Sequence, residues 1–487
     1  MTAGVVRVEL APGFSIARAV TGLWQIADME RDGRPVDLDQ TAAAMAPYVD
    51  AGFTTFDMAD HYGSAELVAG RFRARASAGS EVQLLTKWVP RPGPASRADV
   101  QAAVDRALVR LKADAIDLLQ FHAWRYSDPQ WLDCLFWLDE IRRDGKIRHL
   151  GLTNVDAAHL RMVLESGIPV VSNQVCFSLL DQRPSGGLAA ICATHPVKLL
   201  AYGTVAGGFL TEKWLGKPEP DWEKLATWSE MKYGRFIRAA GGWSGFQRLL
   251  AAVARIAKRH GVSLANVASR AILEHPAVGA VIIGARLGGR SHLEDNRRLF
   301  EFALDDEDRL ALTKTQGELT PLPGDSGDEY RTPPFLTASG DLSHHVDDFP
   351  PPYQVQDRPE GRSIVFSGTS WELLAGFSRA VRVGNRILIS GTTATHRSRA
   401  IGGNDPAAQT HFIIDKIAGA IQSLGGALEH VVRTRIYLKR ISDWEAVSRA
   451  HGERFGGIRP ANTLVRADLI GEEYLVEIEA EAVVPGA

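Results

Sequence analysis

FTTFDMADHY (53–62), VQLLTKW (82–88) and AIDLLQFHA (115–123) are the runs that decide the fold. Each opens on a short, nearly continuous apolar stretch, the signature of a strand buried on both faces. Outward from them the same texture returns at IRHLGLTN (147–154), VVSNQVC (170–176), KLLAYG (198–203) and AVGAVIIGA (277–285), and it precedes them at SIARAVTGLW (15–24). Helical stretches such as ADVQAAVDRALVRLK (98–112) and WLDCLFWLDEIRRDGK (131–146) separate most of these runs. Eight strand–helix units in some 300 residues predict a (β/α)8 barrel. A doubly wound sheet competes, but no GxGxxG turn follows the first strand. The opening VRVEL (6–10) and FSIARA (14–19) predict a hairpin across the barrel floor.

The texture changes twice after the barrel, so the 487 residues divide into 1–317, 318–362 and 363–487. The middle stretch is rich in Pro, Gly, Asp and Ser without periodicity, and reads as a linker or a strapped-down arm. Its His344 and His345 have no third ligand at metal spacing, so no metal site is expected. From 363 onward, AVRVGNRILISGTTA (380–394) predicts a hairpin across Gly384-Asn385. Helices follow near 405–424 and over DWEAVSRAHGERFG (443–456), with strands at VVRTRIYLKR, TLVRADLI and YLVEIEAEAVV. Grouped rather than alternating elements make this a separate α+β domain.

Composition excludes several classes of function. Hydrophobic residues are 45% and charged residues 23%, an ordinary globular balance. A net charge of −3, from 55 basic and 58 acidic residues, argues against nucleic acid as a partner. No apolar run reaches a membrane span, and no leader is visible at the N-terminus. The three cysteines, Cys134, Cys176 and Cys192, form no CxxC, so neither disulfides nor zinc are expected. The expectation is a cytoplasmic protein.

Four residues fall at the C-terminal ends of successive predicted strands or just beyond: Asp57, Tyr62, Lys87 and His122. Strand ends of one barrel share one mouth. A phenol, an ammonium, a carboxylate and an imidazole meeting there suit proton transfer to a carbonyl oxygen. In this reading Lys87 lowers the pKa of Tyr62, Asp57 places Lys87, and His122 hydrogen-bonds the reacting oxygen.

The run GFTTFDMADHYG…LLTKW…IDLLQFH resembles the aldo-keto reductase superfamily over roughly residues 5–315. The resemblance implies a barrel reductase with Tyr62 as general acid and Asp57, Lys87 and His122 as its tuning partners. It also implies a nicotinamide cofactor. Thr153, Asn154 and Gln174 would hold the carboxamide, and Tyr202, followed by Gly203, would stack on the ring. Gly207 and Gly208 would strap the pyrophosphate, and Arg286 to Asn296 would meet the adenosine. Arg286, Arg290 and His292 favour NADPH, because guanidinium groups bind a 2′-phosphate bidentately. Trp24, Trp88 and Trp124 read either as an aromatic substrate pocket or as rim packing. The insertion 211–244, with Trp214, Trp222, Trp228 and Trp243, would cap the mouth.

The last domain resembles the Rid (YjgF-like) family over roughly 370–485, which implies a chorismate-mutase-like fold and a homotrimer or dimer of trimers. The family's carboxylate-binding Arg is replaced by Asn462, so its usual deaminase chemistry is not expected. Ser390, Asn462, Glu477 and Glu479 remain candidates for a ligand cleft; a trimerisation scaffold is the other reading. The whole chain thus reads as an NADPH-dependent reductase of an aldehyde or ketone fused to a Rid-like module. A coupled carbonyl/imine enzyme and an NADP(H)-sensing regulator are the alternatives.

Overall fold

The structure, a computed structural model, describes residues 4–75, 82–91, 93–289, 291–342 and 349–486. Strands β1 (Arg7–Ala11) and β2 (Phe14–Ala17) form an antiparallel hairpin that turns at Gly13. Leu10, Phe14 and Ile16 pack with Val20, Leu85, Leu118 and Leu200 from inside the barrel, so the hairpin plugs its floor.

Eight parallel strands then close on themselves: β3 (Ala19–Gly22), β4 (Thr55–Asp57), β5 (Gln83–Trp88), β6 (Ile116–His122), β7 (Ile147–Thr153), β8 (Val170–Cys176), β9 (Lys198–Tyr202) and β10 (Val278–Gly284). All eight lie within their predicted runs, but the run 15–24 splits: its start belongs to β2, its middle is β3, and Trp24 opens the helix Trp24–Glu30. The break falls at Arg18, whose guanidinium leaves the run to bond the carbonyls of Leu273, Val278 and Gly279. Periodicity alone cannot see this, because both halves are apolar.

The second unit is a seven-stranded sheet: β11 (Val355–Arg358), β12 (Arg362–Val365), β13 (Ala380–Val383), β14 (Arg386–Thr393), β17 (Val431–Leu438), β18 (Ala461–Arg466) and β19 (Val476–Val483). A small separate ribbon, β15 (Thr395–His396) with β16 (Arg399–Ala400), lies between β14 and β17 in the chain. β11, and Arg362 at the start of β12, lie inside the stretch that the sequence reads as linker. Along β19, Val476, Ile478, Ala480 and Ala482 are buried, while Glu477, Glu479 and Glu481 alternate with them on the opposite face. The buried face is covered by the helices Pro406–Ser423 and Trp444–Phe455.

The two units are docked. Helix Pro406–Ser423 packs on the barrel helix Ala157–Glu165, and the buried His159 bridges them, with Nδ1 2.7 Å from Asp156 and Nε2 2.8 Å from Asp415. Arg454 also pairs with Asp415, Arg161 with Asp405, and His396 and Arg397 with Asp133. Burial by itself pushes the His159 imidazole down, but Asp156 and Asp415 hold it up at about 9.

Cys134, Cys176 and Cys192 are all unpaired and buried. Burial raises all three thiols, Cys134 to about 12 and Cys192 to about 11. No described helix is long and apolar enough to cross a membrane.

Candidate active site

Parallel barrel strands turn alternate side chains inward, and at their C-terminal ends these converge. One pocket at that end, of about 160 Å³, is lined by Asp57, Tyr62, Lys87 and His122 together. Asp57 and Lys87 are buried neighbours, with Nζ 2.6 Å from Oδ2 and 2.8 Å from the Met58 carbonyl. The ammonium stands 5.0 Å from the centre of the Tyr62 ring.

The expected lowering of the Tyr62 phenol is not what this environment produces. Burial raises its pKa well above the ordinary value, with Asp57 adding to the rise. Burial likewise lowers Lys87, opposed by Asp57, and lowers His122 well below the usual imidazole range, with Arg331 adding to the fall. The correction has a simple cause: excluding water disfavours every charged form, and here that outweighs the nearby ammonium. The site therefore presents a protonated phenol and a neutral imidazole. His122 Nε2 is buried with no hydrogen-bond partner among the described residues.

Gln120 was not singled out by the sequence reading. It donates to Asp57 Oδ1 at 3.0 Å, and Gln174 donates to the same oxygen at 2.8 Å and to Gln120 Oε1 at 2.9 Å. Gln120 lies two residues before His122 on β6, hence on the same side of the strand, and that spacing was the available signal.

The remaining expected residues fall as follows. Thr153, Asn154, Tyr202, Gly203 and Gly207 line the same pocket. Asn154 Oδ1 accepts from the Tyr202 hydroxyl at 2.8 Å. Gly207 and Gly208 have φ of 63° and 95°. A Cβ on Gly207 would stand 2.8 Å from the Ser229 carbonyl, so the helix Trp228–Ala239 of the insertion lies directly on this loop. Arg286 is outside the pocket lining and pairs with Asp28 at 2.8 Å. Asn296 sits on the helix Leu293–Arg298, also away from the lining. Arg290, His344 and His345 lie outside the described residues.

Trp24 and Trp124 line the pocket, but Trp88 does not. It follows the inward Lys87, so it points out of the barrel, where it packs on Phe121 at 5.5 Å between centroids. Trp228 takes the vacant part, 5.6 Å from Trp24. The other insertion tryptophans, Trp214, Trp222 and Trp243, cluster instead around Phe209.

The stretch read as linker contributes to the site. Arg331 donates to the carbonyls of Ala123 and Asn154, and Glu329 pairs with the buried Arg183 at 2.9 Å. A Cβ on Gly327 would meet the Asn154 carbonyl at 2.0 Å, so only glycine permits this approach. So held, the arm presents Tyr330 and Asp341 to the pocket.

The profile described as Aldo/keto reductase family matches residues 19–315. The chain belongs to that family. A second profile, described as Endoribonuclease L-PSP, matches 369–484, and the second unit has the Rid (YjgF-like) fold. "Protein tas" of Escherichia coli is 32% identical over 210 residues, 39% of this chain; that match spans only 59% of the relative. An uncharacterized protein of Streptomyces coelicolor is 41% identical over 119 residues, 24% of this chain and 89% of its own. The solved glycerol dehydrogenase of Gluconobacter oxydans covers 67% of this chain and 98% of its own, with a TM-score of 0.55 at 22% identity, a likeness of fold. The chain is thus an oxidoreductase-family barrel carrying a Rid domain.

In the second unit the four cleft candidates do not converge within one chain. Asn462 donates to Thr434 Oγ1, which also meets His451 on a covering helix. Glu477 and Glu479 stand on the opposite face, where Glu479 pairs with Arg435. Ser390 bonds the Ser378 carbonyl.

Proposed function

We propose that the barrel reduces an aldehyde or ketone with NADPH, Tyr62 donating the proton to the carbonyl oxygen. The observation that carries this reading is the buried Asp57–Lys87 pair beside Tyr62 and His122 in one pocket. A nicotinamide cofactor fits the residues present. Gln25 Oε1 and His122 Nε2 are a buried acceptor and a buried ring nitrogen without hydrogen-bond partners among the described residues, both in residues that line the pocket, and the Gly207 loop gives a close backbone approach. When bound, the cofactor supplies hydride.

This chain's own residues do the rest. Tyr62, kept protonated by burial, holds a proton at its phenolic oxygen for the developing alkoxide, and the Lys87 ammonium stabilises the phenolate left behind. Asp57, fixed by Gln120 and Gln174, holds Lys87. Neutral His122 orients the carbonyl. Arg286, half exposed on Asp28, keeps further N–H groups for the 2′-phosphate. The Rid unit assembles the chain as a trimer through its open sheet face.

Tyr62→Phe tests the assignment. Turnover of reduced cofactor with aldehydes should fall by three orders of magnitude or so, on the scale of general-acid catalysis, while NADPH affinity stays within about twofold. Retained turnover would move the proton donor elsewhere.

A further inference from the structure

Lys232, Tyr330 and Asp341 stand at the pocket outside the tetrad and come from outside the barrel strands. Lys232 comes from the insertion helix; Tyr330 and Asp341 come from the arm. The Lys232 ammonium donates to the Tyr330 oxygen at 2.5 Å and faces Asp341 Oδ2 at 3.5 Å. The Tyr330 and Tyr202 oxygens are 3.0 Å apart, and the Tyr202 hydroxyl donates to Asn154 Oδ1. The donors therefore run one way, from Lys232 to Tyr330 to Tyr202 to Asn154, and both phenolic protons are spent.

Lys232 is only 5% exposed, yet of its three N–H groups one makes a hydrogen bond and Asp341 lies at ion-pair distance. Asp341 Oδ2 takes the Ala338 N–H, which leaves Oδ1 as an acceptor. A donor and an acceptor thus sit side by side on the pocket wall. The Tyr330 ring places them next to the tetrad, 5.6 Å from the His122 ring in an edge contact. Trp24, Trp124 and Trp228 form flat walls around the same space.

We infer that Lys232 and Asp341 form a hydroxyl-reading subsite, so that the preferred carbonyl substrate is a hydroxylated aromatic aldehyde. A hydroxyl accepts from the ammonium and donates to the carboxylate, which neither an ether nor a carboxylate does. An ether leaves Asp341 unanswered; a carboxylate is repelled by it. The inference rests on carbonyl reduction as the barrel's reaction, and the test separates the two.

Benzaldehyde, its three monohydroxy isomers and the matching methoxy compounds are compared as substrates with NADPH and with NADH. The best hydroxy isomer should exceed benzaldehyde and its own methoxy ether by about tenfold to a hundredfold in kcat/KM, the range for a hydrogen bond to a charged group. In Lys232→Met and in Asp341→Asn that advantage should fall to threefold or less; Asp341→Asn preserves shape should the first variant not fold. A wild-type ratio near one overturns the subsite and leaves reduction standing. Equilibrium binding of the unreactive pair hydroxybenzamide and benzamide, read by tryptophan quenching, decides independently of turnover. Equal affinities overturn the subsite. Unequal affinities, abolished in both variants but with no aldehyde turned over, uphold the subsite and reject reduction.

Discussion

Raising the pH should loosen the junction between the two units, because a buried imidazole is one of the groups that bridge it. His159 is buried between Asp156 and Asp415, with its ring stacked on Tyr126 at 3.4 Å. Trp131 packs at its edge, Arg331 lies over Tyr126, and Arg454 faces the far side of Asp415. Its pKa rises from 6.5 to about 9 on folding. A group raised on folding contributes fully below its unfolded value and loses that contribution as pH climbs through the folded value. The window is therefore about pH 6.5 to 9, and two to three pKa units correspond to about 3 kcal/mol. The carboxylates, Asp156 and Asp415, are both lowered on folding, chiefly by His159 and Arg454 against the cost of burial, so they lose their contribution only on the acid side. Urea unfolding of wild type and His159→Gln, followed by tryptophan fluorescence between pH 6 and 9.5, measures this. The gap between the two proteins should shrink by about 3 kcal/mol across that range. Parallel curves would mean that the imidazole is neutral in the folded state, and the reasoning would fail.

Arg286→Ala should weaken NADPH by about 1.5–3 kcal/mol and NADH far less; equal losses in fluorescence titrations would remove Arg286 from the 2′-phosphate. Gly207→Ala combines a φ of 63° with a contact on the Ser229 carbonyl, so Tm should drop by the equivalent of about 1–3 kcal/mol; an unchanged Tm in calorimetry would refute the close approach. Ending the chain at Gly317 removes Tyr330, Arg331 and Asp341, whereas ending it at Leu342 keeps them. Both shortened chains should run below the trimeric mass in light scattering, and only the shorter should show a substrate KM raised by about tenfold, the scale of one lost hydrogen bond to a charged group.

The barrel was legible because its strands are apolar on both faces and are punctuated by helices, and because no GxGxxG turn marks the doubly wound alternative. The tetrad was legible for the same reason: Asp57, Lys87 and His122 end their strands. What escaped depends on contacts distant in sequence. Trp88 read either as pocket lining or as rim packing, and strand alternation turns it outward. Tyr330 and Asp341 sat in a stretch without periodicity, and only the seating of Arg331 and Gly327 against Asn154 brings them to the mouth. The Tyr62 pKa was misjudged because charge proximity is visible in a sequence and water exclusion is not.

Burial of all three cysteines makes the chain its own reporter. A thiol that is sealed from solvent and held protonated does not react with an alkylating agent until its surroundings open. Cys134 lies on the helix that also carries Asp133, beside the second unit; Cys176 ends β8 beneath the mouth; Cys192 lies on the outer helix Gly187–Thr194. Timed alkylation with peptide mapping would therefore give three separate clocks, one for undocking, one for opening of the mouth and one for fraying of the outer layer, without a single residue being changed.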